Sequence, residues 1–256
     1  MRIVSLCPSL TELVFALGRG AELVGITEWC VHPADGVARV EKVGGTKSPD
    51  VARIVELAPD LVLMNEEENR REDGRYLRAA GLECHVSMPR DAAETAAMVR
   101  SISAAVDSVD VGAGIAADIE RRIVEARLAS TGKPRVRFAY LIWRKPFMAV
   151  NGDTYASALL ELAGGDNVFA ANPERYPEIS PADLATASPD VVLLCTEPFP
   201  FQERHADELA TITGIARHRF EIADGEYLSW HGSRTPAGIE YALSRIAAAR
   251  AAISAV

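Results

Sequence analysis

The chain has 256 residues, of which 48% are hydrophobic and 25% charged, a composition typical of a globular protein with a sizeable core. Its formal net charge of −9 argues against a nucleic-acid partner, because binding to phosphate backbones is driven by basic surfaces. No run approaches the roughly 18 apolar residues that span a bilayer. No leader pattern precedes the first strand, so we expect a periplasmic or cell-surface location if a leader has been removed, and otherwise a cytoplasmic one.

The first elements alternate strand with helix. The apolar run Ile3–Leu6 predicts a strand, and Ser9-Leu-Thr-Glu12 reads as a capping box that starts a helix ending at Gly18. A second strand is predicted at 23–26, and later a helix at 72–80 and a strand at 84–87. This alternation predicts a parallel sheet with helices on both faces.

One sequence unit occurs twice, at Ser48–Asn69 and at Ser180–Phe199. Each copy opens with Ser-Pro, a combination typical of a helix N-cap and first helical position. Each copy then breaks at Pro-Asp and enters an apolar run, which predicts a strand that is buried on both faces. Two copies in a chain of this length predict two similar lobes.

The region between the two copies is predicted to be helical. Residues 91–130 are rich in Ala, contain no Pro and keep helical spacing of their apolar residues, with a break near 107–110. They form either two surface helices or, in their second half, one long helix joining the lobes. In the second lobe, strands are predicted at 136–142, 167–170, 191–195 and 219–222. Helices are predicted at 154–163, 206–211 and 236–253, and the last of them is amphipathic and closes the chain.

These patterns predict the α/β class, with two doubly wound parallel-sheet lobes joined by one long α-helix and a ligand cleft between the lobes. The expected boundaries are 1–106 for the N-terminal lobe, 107–132 for the linking helix and 133–256 for the C-terminal lobe.

Ligands of open parallel sheets bind beyond the carboxyl ends of the strands. The residues that follow the predicted strands are therefore the candidate ligand-binding residues: Trp29, Cys30, His32, Glu66, Glu67, Asn69, Trp143, Arg144, Phe199, Trp230, His231 and Arg234. All three tryptophans belong to this set, which favours aromatic walls for a large, flat ligand. The alternatives are that each indole fills the interior of its own lobe and that the acidic run at 66–68 is a solvated loop tip.

A metal site is the second interpretation of the same residues. Cys30, His32, Glu66, Glu67 and His231 are metal-ligand types, but the Cys-x-His spacing is weak and no Cys-x-x-Cys occurs, so we predict no dedicated metal site. His32 and His231 are the candidate axial ligands for a metal held in a macrocycle. No nucleophile-elbow, phosphate-loop or metalloprotease motif occurs, so we predict a binding protein and not an enzyme.

The motifs together resemble a known family. Pro8-Ser9-x-Thr11-Glu12 after a strand, Gly-Gly-x-Lys-Ser-Pro-Asp at 44–50, Pro-Asp-Leu-Val at 59–62 and a second Ser-Pro…Pro-Asp-Val-Val lobe are similar to the substrate-binding proteins of the cobalamin and siderophore type, class III periplasmic binding proteins with a helical backbone. The similarity runs from Arg2 to about Ile253 and is greatest with the cobalamin-binding branch.

The resemblance implies a corrinoid ligand, gripped by Trp29 and residues 65–69 in one lobe and by Trp143, Phe199 and Trp230 in the other. It also implies an ABC permease that one surface carboxylate per lobe would meet. Glu72 is the candidate in the first lobe, and the sequence offers no counterpart in the second. We expect a monomer that has no resident cofactor. The alternatives are a binder of siderophore, haem or metal chelate, and a cytosolic corrinoid chaperone or enzyme on the same fold.

Overall fold

The computed structural model describes residues 1–254, which form two compact units. Unit one contains Met1–Pro89, Ala93–Ile119 and the short segment His231–Arg234. Unit two contains Arg90–Ala92, Glu120–Trp230 and the C-terminal residues from Thr235 onward. No helix within residues 1–254 is both long and apolar enough to cross a membrane.

Unit one is built on a four-stranded parallel sheet. Its elements are β1 (Ile3–Ser5), α1 (Pro8–Ala16), β2 (Leu23–Ile26), α2 (Ala34–Val37), α3 (Val51–Glu56), β3 (Leu61–Asn65), α4 (Arg71–Ala79), β4 (Cys84–Ser87) and α5 (Ala92–Ala105). The strand order is β2-β1-β3-β4, and every pairing is parallel. All five residues of the apolar strand β3 are buried, as the repeated unit predicted.

A long helix, α6 (Val109–Ser130), follows α5 after a break at Asp107, whose φ of 52° is left-handed. Its residues up to Ile119 belong to unit one and those from Glu120 belong to unit two. The predicted long helix is therefore present. The predicted boundaries 1–106, 107–132 and 133–256 stay a prediction.

Unit two repeats the parallel sheet and adds an antiparallel edge. Its elements are β5 (Val136–Trp143), β6 (Phe147–Ala149), α7 (Tyr155–Leu162), β7 (Gly165–Asn167), β8 (Glu178–Ile179), α8 (Pro181–Ala187), β9 (Val191–Cys195), α9 (Glu203–Thr213), β10 (Phe220–Ala223), α10 (Gly225–Ser229) and α11 (Thr235–Ser254). The parallel strands of this sheet lie in the order β7-β5-β9-β10. They correspond one to one to β2-β1-β3-β4 of unit one, so the two parallel sheets have the same strand order. This arrangement confirms the predicted α/β class with two similar parallel sheets.

The antiparallel strands β6 and β8 were not predicted. β7 pairs with the first residues of β5, Val136–Phe138, whereas β6 pairs farther along the same strand, at Leu141 and Trp143. The longer β5 therefore has room for a second neighbour on one edge. The short runs that form β6 and β8 have no apolar alternation long enough to indicate a strand.

The two Pro-Asp breaks make the same contacts in their own units. Asp60 accepts a hydrogen bond from the Arg2 backbone N–H at 2.7 Å, and Asp190 accepts one from the Arg137 backbone N–H at 2.9 Å. In each unit the aspartate N–H also donates to the carbonyl of that same arginine at 2.8 Å. Each Pro-Asp therefore ties the turn before one strand to the start of the neighbouring strand.

Three predicted helix starts were wrong. Helix α1 begins at Pro8 with Cys7 as its N-cap, so Ser9 lies inside the first turn and forms no capping box. Helix α3 is capped by Asp50, whose carboxylate accepts from the Arg53 N–H at 2.9 Å, and not by Ser48. In the second copy Ser180 does form the predicted cap. Helix α9 begins at Glu203, three residues before the predicted Ala206.

Candidate ligand-binding site

Residues at the ends of β1 and β3 are joined to the segment His231–Arg234 within unit one. The Asn65 side-chain N–H donates to His231 Nε2 at 3.0 Å, and the Ser9 hydroxyl lies 3.5 Å from His231 Nδ1. The Asn65 Oδ1 accepts from the Glu67 backbone N–H at 2.9 Å, which fixes the orientation of the amide. His231 Nε2 is therefore an acceptor, and the ring carries its proton on Nδ1.

His231 is a buried neutral histidine. Burial lowers its pKa from 6.5 to about 4, and the nearby Glu67 carboxylate opposes this shift only in part. Because both ring nitrogens face protein partners, this side chain is a poor axial ligand as it stands. Of the two histidines predicted for that role, His32 is the better placed, since its side chain is half-buried on the loop after β2.

Asn69 holds the loop after β3 in place. Its Oδ1 accepts from the Asn65 backbone N–H at 2.8 Å, and its Nδ2 donates to the carbonyls of Leu6 at 2.9 Å and Thr46 at 3.0 Å. The side chain is buried at 5% exposure. These bonds engage both the oxygen and the nitrogen of the Asn69 amide, so its role is to position the loop that carries Glu66 and Glu67.

The loop after β2 presents one buried and one exposed candidate. The Cys30 thiol is buried and lies 3.0 Å from the Thr11 hydroxyl and 3.1 Å from the Thr27 hydroxyl. Trp29 points outward, with 63% of its surface exposed. The cysteine therefore anchors the loop, and the indole is available to a ligand.

The acidic run is partly neutralised by basic neighbours. Glu66 is exposed and lies 3.7 Å from the Arg71 guanidinium, and the Lys47 ammonium donates to the Glu67 carbonyl. Burial raises the pKa of Glu68, with Glu67 adding to the effect and Lys47 opposing it. Arg70, the next basic residue along the chain, is paired with Asp73 at 3.0 Å.

The five residues of metal-ligand type do not form a metal site in the part of the chain that the structure describes. No group of three or more His, Cys, Asp or Glu among residues 1–254 could hold a metal ion. Two of the five already have other partners: the Cys30 thiol contacts two hydroxyl groups, and His231 contacts Asn65.

An aromatic cluster lies at the ends of β5 and β9 in unit two. The Trp143 and Phe199 rings meet edge to face, with centroids 5.8 Å apart and an angle of 70°. Phe199 in turn contacts Phe201 at 4.8 Å and His205 at 5.5 Å between centroids. Trp143 keeps 40% of its surface exposed, whereas Phe201 and His205 are buried. The cluster therefore offers an exposed indole that packs on Phe199, and the buried Phe201 and His205 rings pack on Phe199 in turn.

Arg144 lies beside this cluster and is paired with Glu208. Its Nη2 contacts both carboxylate oxygens, at 2.7 and 2.6 Å. This contact lowers the pKa of Glu208. The side chain of Arg144 is half-buried, so the ion pair fixes its direction next to Trp143.

Trp230 differs from the other two tryptophans because it is buried, at 5% exposure. Its indole N–H donates to the Glu197 carboxylate at 2.9 Å. The alternative in which the indole fills the interior therefore describes Trp230 better than the predicted aromatic wall does.

Arg234 forms a two-point ion pair with Glu12, Nε to Oε2 at 2.9 Å and Nη2 to Oε1 at 2.7 Å. Gly232, just before it, has a φ of +111° and lies against Leu13. A side chain there would be strained, so glycine allows the segment to lie close to α1. No local sequence pattern indicates the Glu12 partner, because 222 positions separate the two residues.

Two exposed glutamates occupy equivalent places in the two units. Glu72 lies in the first turn of α4, the helix after β3, and Glu203 lies in the first turn of α9, the helix after β9. Glu203 contacts Arg217, which also holds Asp207 at 2.5 Å. Glu203 is not among the predicted site residues because the predicted helix begins at Ala206, three residues after it.

The fold and these strand-end residues define a periplasmic binding protein. The family model described as periplasmic binding protein matches residues 3–217, and the chain belongs to this family.

Curated and solved proteins extend the comparison. The vitamin B12-binding protein of Vibrio parahaemolyticus serotype O3:K6 is 27% identical over 205 residues, which cover 80% of this chain and 71% of that protein. The solved periplasmic vitamin B12 binding protein of Vibrio cholerae superposes with a TM-score of 0.84 over 97% of both chains, at 23% identity. The apo periplasmic haem-binding protein of Roseiflexus sp. RS-1 gives a TM-score of 0.84 at 25% identity, over 97% of this chain and 98% of that one.

Proposed function

We propose that this chain captures a corrinoid and delivers it to the permease of an ABC transporter, without covalent chemistry. The observation that carries the proposal is the match to a relative named for vitamin B12 binding over 80% of the chain. The proposal applies that ligand class to this chain, with the corrinoid as cargo and not as a resident cofactor.

The exposed aromatic residues support a large, flat ligand. Trp29 is 63% and Trp143 is 40% exposed, and large aromatic side chains left open to solvent at strand ends are typical of binding surfaces. We assign the ligand-facing role to Trp29, Trp143 and Phe199, with Arg144 and Glu67 as polar neighbours. Cys30, Asn69, Trp230, His231 and Arg234 would then support the loops that carry these groups.

The experiment is equilibrium dialysis of the protein against cyanocobalamin, followed by the absorbance of the corrinoid. Trp143→Ala should weaken binding by at least about 1 kcal/mol, roughly fivefold, because truncation removes a buried contact of the ligand. Tyr76→Ala is the matched control, since Tyr76 is an exposed aromatic residue on α4 at 61% exposure. Absence of cyanocobalamin binding, or equal affinities for the wild type and Trp143→Ala, would contradict the proposal.

Haem is the second candidate ligand, favoured by the haem-binding protein that is 25% identical over 97% of this chain. His32 is the candidate axial ligand because His231 is occupied by Asn65. Titration with haemin separates the two candidates. A Soret shift that disappears in His32→Ala, with haemin bound more tightly than cyanocobalamin, would assign the site to haem.

A further inference from the structure

A small pocket in unit one lies between the carboxyl end of β3 and helix α4. Its volume is about 220 Å³, and four arginines line it together with Glu66: Arg70, Arg71, Arg75 and Arg78. Pockets that hold drug-sized ligands are larger, roughly 300–1,000 Å³. The pocket therefore suits a small ion and not a molecule of corrinoid size.

The spacing of the arginines directs their charges to one face of a helix. Arg71, Arg75 and Arg78 follow one another by four and three positions on α4, so their side chains lie one above the other. Gly74 lies among them and also lines the pocket. A Cβ built on Gly74 would lie 3.3 Å from the Met64 methyl group and 3.6 Å from an Arg78 guanidinium nitrogen. The missing side chain keeps this part of the pocket open.

The positive charges of the pocket exceed the negative ones. Arg70 is neutralised by two contacts of 3.0 Å to Asp73, and Arg71 has only a 3.7 Å contact to Glu66. Arg78 donates one bond of 3.4 Å to the Cys84 carbonyl. Within residues 1–254, no partner is seen for the Arg75 guanidinium. Apart from Arg70, three guanidinium groups therefore line the pocket with one carboxylate, that of Glu66, on a chain whose formal net charge is −9.

We infer that this pocket binds a small multivalent oxyanion of the phosphate or citrate class. Guanidinium forks match the paired oxygens of phosphates and carboxylates, and several of them on a concave surface can hold one anion from different sides. An anion would also relieve the repulsion among the guanidinium groups that line the pocket. The inference goes beyond the proposed function and does not depend on the identity of the transported ligand.

The test is calorimetric titration with inorganic phosphate and with citrate at low ionic strength, in a chloride buffer without corrinoid. We expect saturable binding of at least one of the two anions, weakened about tenfold by Arg75→Gln and by Arg71→Gln, the effect of losing one charge-assisted hydrogen bond. Both arginines are exposed, so these variants should fold as the wild type does. The matched control is Arg127→Gln, which removes an exposed helical arginine outside the pocket.

Heat that does not saturate with either anion would overturn the inference, and so would an equal loss of affinity in Arg127→Gln. Repeating the titration with cyanocobalamin bound distinguishes the source of the anion. Unchanged affinity assigns the pocket to a free ion, and competition assigns it to an anionic group of the larger ligand. Failure of the corrinoid proposal appears separately, in the dialysis experiment, because no corrinoid is needed for the first titration.

Discussion

At the scale of single residues, hydrogen-bond partners separate the side chains that support the site from those that face a ligand. Asn69 and His231 have their polar atoms engaged within unit one, and the indole N–H of Trp230 is engaged by Glu197. Trp29 and Trp143 leave much of their apolar surface in solvent. Residue type alone cannot make this distinction, because a tryptophan at a strand end satisfies the same sequence pattern whether it is exposed or buried.

The buried neutral His231 makes stability depend on pH. The pKa of His231 is lowered to about 4 in the folded chain, against 6.5 without burial, so the unfolded chain takes up the proton first as the pH falls. The free energy of unfolding that the neutral His231 contributes is fully present above pH 6.5 and is lost as the pH falls from about 6.5 to 4. The loss is at most about 3 kcal/mol. Urea unfolding at several pH values should show this loss. His231→Gln should flatten the profile in that window, and an unchanged slope in the variant would contradict the assignment.

Trp230 tests whether a strand-end indole serves stability or binding. Trp230→Phe keeps the aromatic ring but removes the donor to Glu197, which leaves a half-buried carboxylate without this partner. The free energy of unfolding should fall by about 1–3 kcal/mol, while affinity for cyanocobalamin should stay within twofold of the wild type. Chemical denaturation and dialysis on the same preparation measure both quantities. Weaker binding at unchanged stability would return Trp230 to the ligand-facing set.

At the scale of elements, local patterns predicted the strands better than the ends of the helices. β2, β4 and β9 have the predicted bounds. β2 and β9 are short apolar runs limited by polar or turn residues, which is the pattern of a buried strand. The predicted start of α1 was wrong because Pro8 can occupy the first helical position, which competes with a capping box at Ser9. β6 and β8 could not be predicted because their pairing depends on the free edge of β5.

In the candidate site too, local sequence patterns predict some features and cannot predict those that depend on tertiary contacts. The candidates after the strands could be predicted from the rule that ligands bind at carboxyl ends, and Trp143 and Phe199 do meet there. The pairs Glu12–Arg234 and Asn65–His231 join residues 222 and 166 positions apart, so no local pattern contains them. Exposure likewise depends on tertiary packing, which is why the three tryptophans could not be separated beforehand.

The two Pro-Asp turns give a prediction for equivalent elements. Asp60→Ala and Asp190→Ala each remove one acceptor for the backbone N–H of the neighbouring strand, that of Arg2 or of Arg137. Each substitution should lower the free energy of unfolding by about 1 kcal/mol, since both groups are partly solvated. The corresponding Asn variants retain an acceptor oxygen and are the controls. A large effect in one unit with none in the other would argue against equivalent roles for the two copies.

At the scale of the whole molecule, the chain contains two units with the same parallel-sheet topology, and each unit has additional features of its own. The parallel cores share one strand order, and in each unit a helix with a glutamate in its first turn follows the strand of the repeated sequence unit. Unit two adds an antiparallel edge and the aromatic cluster, whereas unit one adds the arginine pocket. Glu72 and Glu203 both lie in the first turn of the helix that follows the repeated strand, so we look for one role that the two units share.

We propose that this shared role is contact with the permease. The prediction rests on the corrinoid proposal, and its assay is uptake of labelled cyanocobalamin by vesicles that contain the cognate transporter. Glu72→Ala and Glu203→Ala should each lower the uptake rate, and the double variant should lower it further, because each removes one exposed charge from a separate contact. Dialysis should give an unchanged affinity for cyanocobalamin. Glu56→Ala is the control, since Glu56 is an exposed glutamate at 66% side-chain exposure whose partner is Arg53. Equal uptake by the control and the double variant would exclude both carboxylates from docking, while corrinoid binding would still stand on the dialysis result.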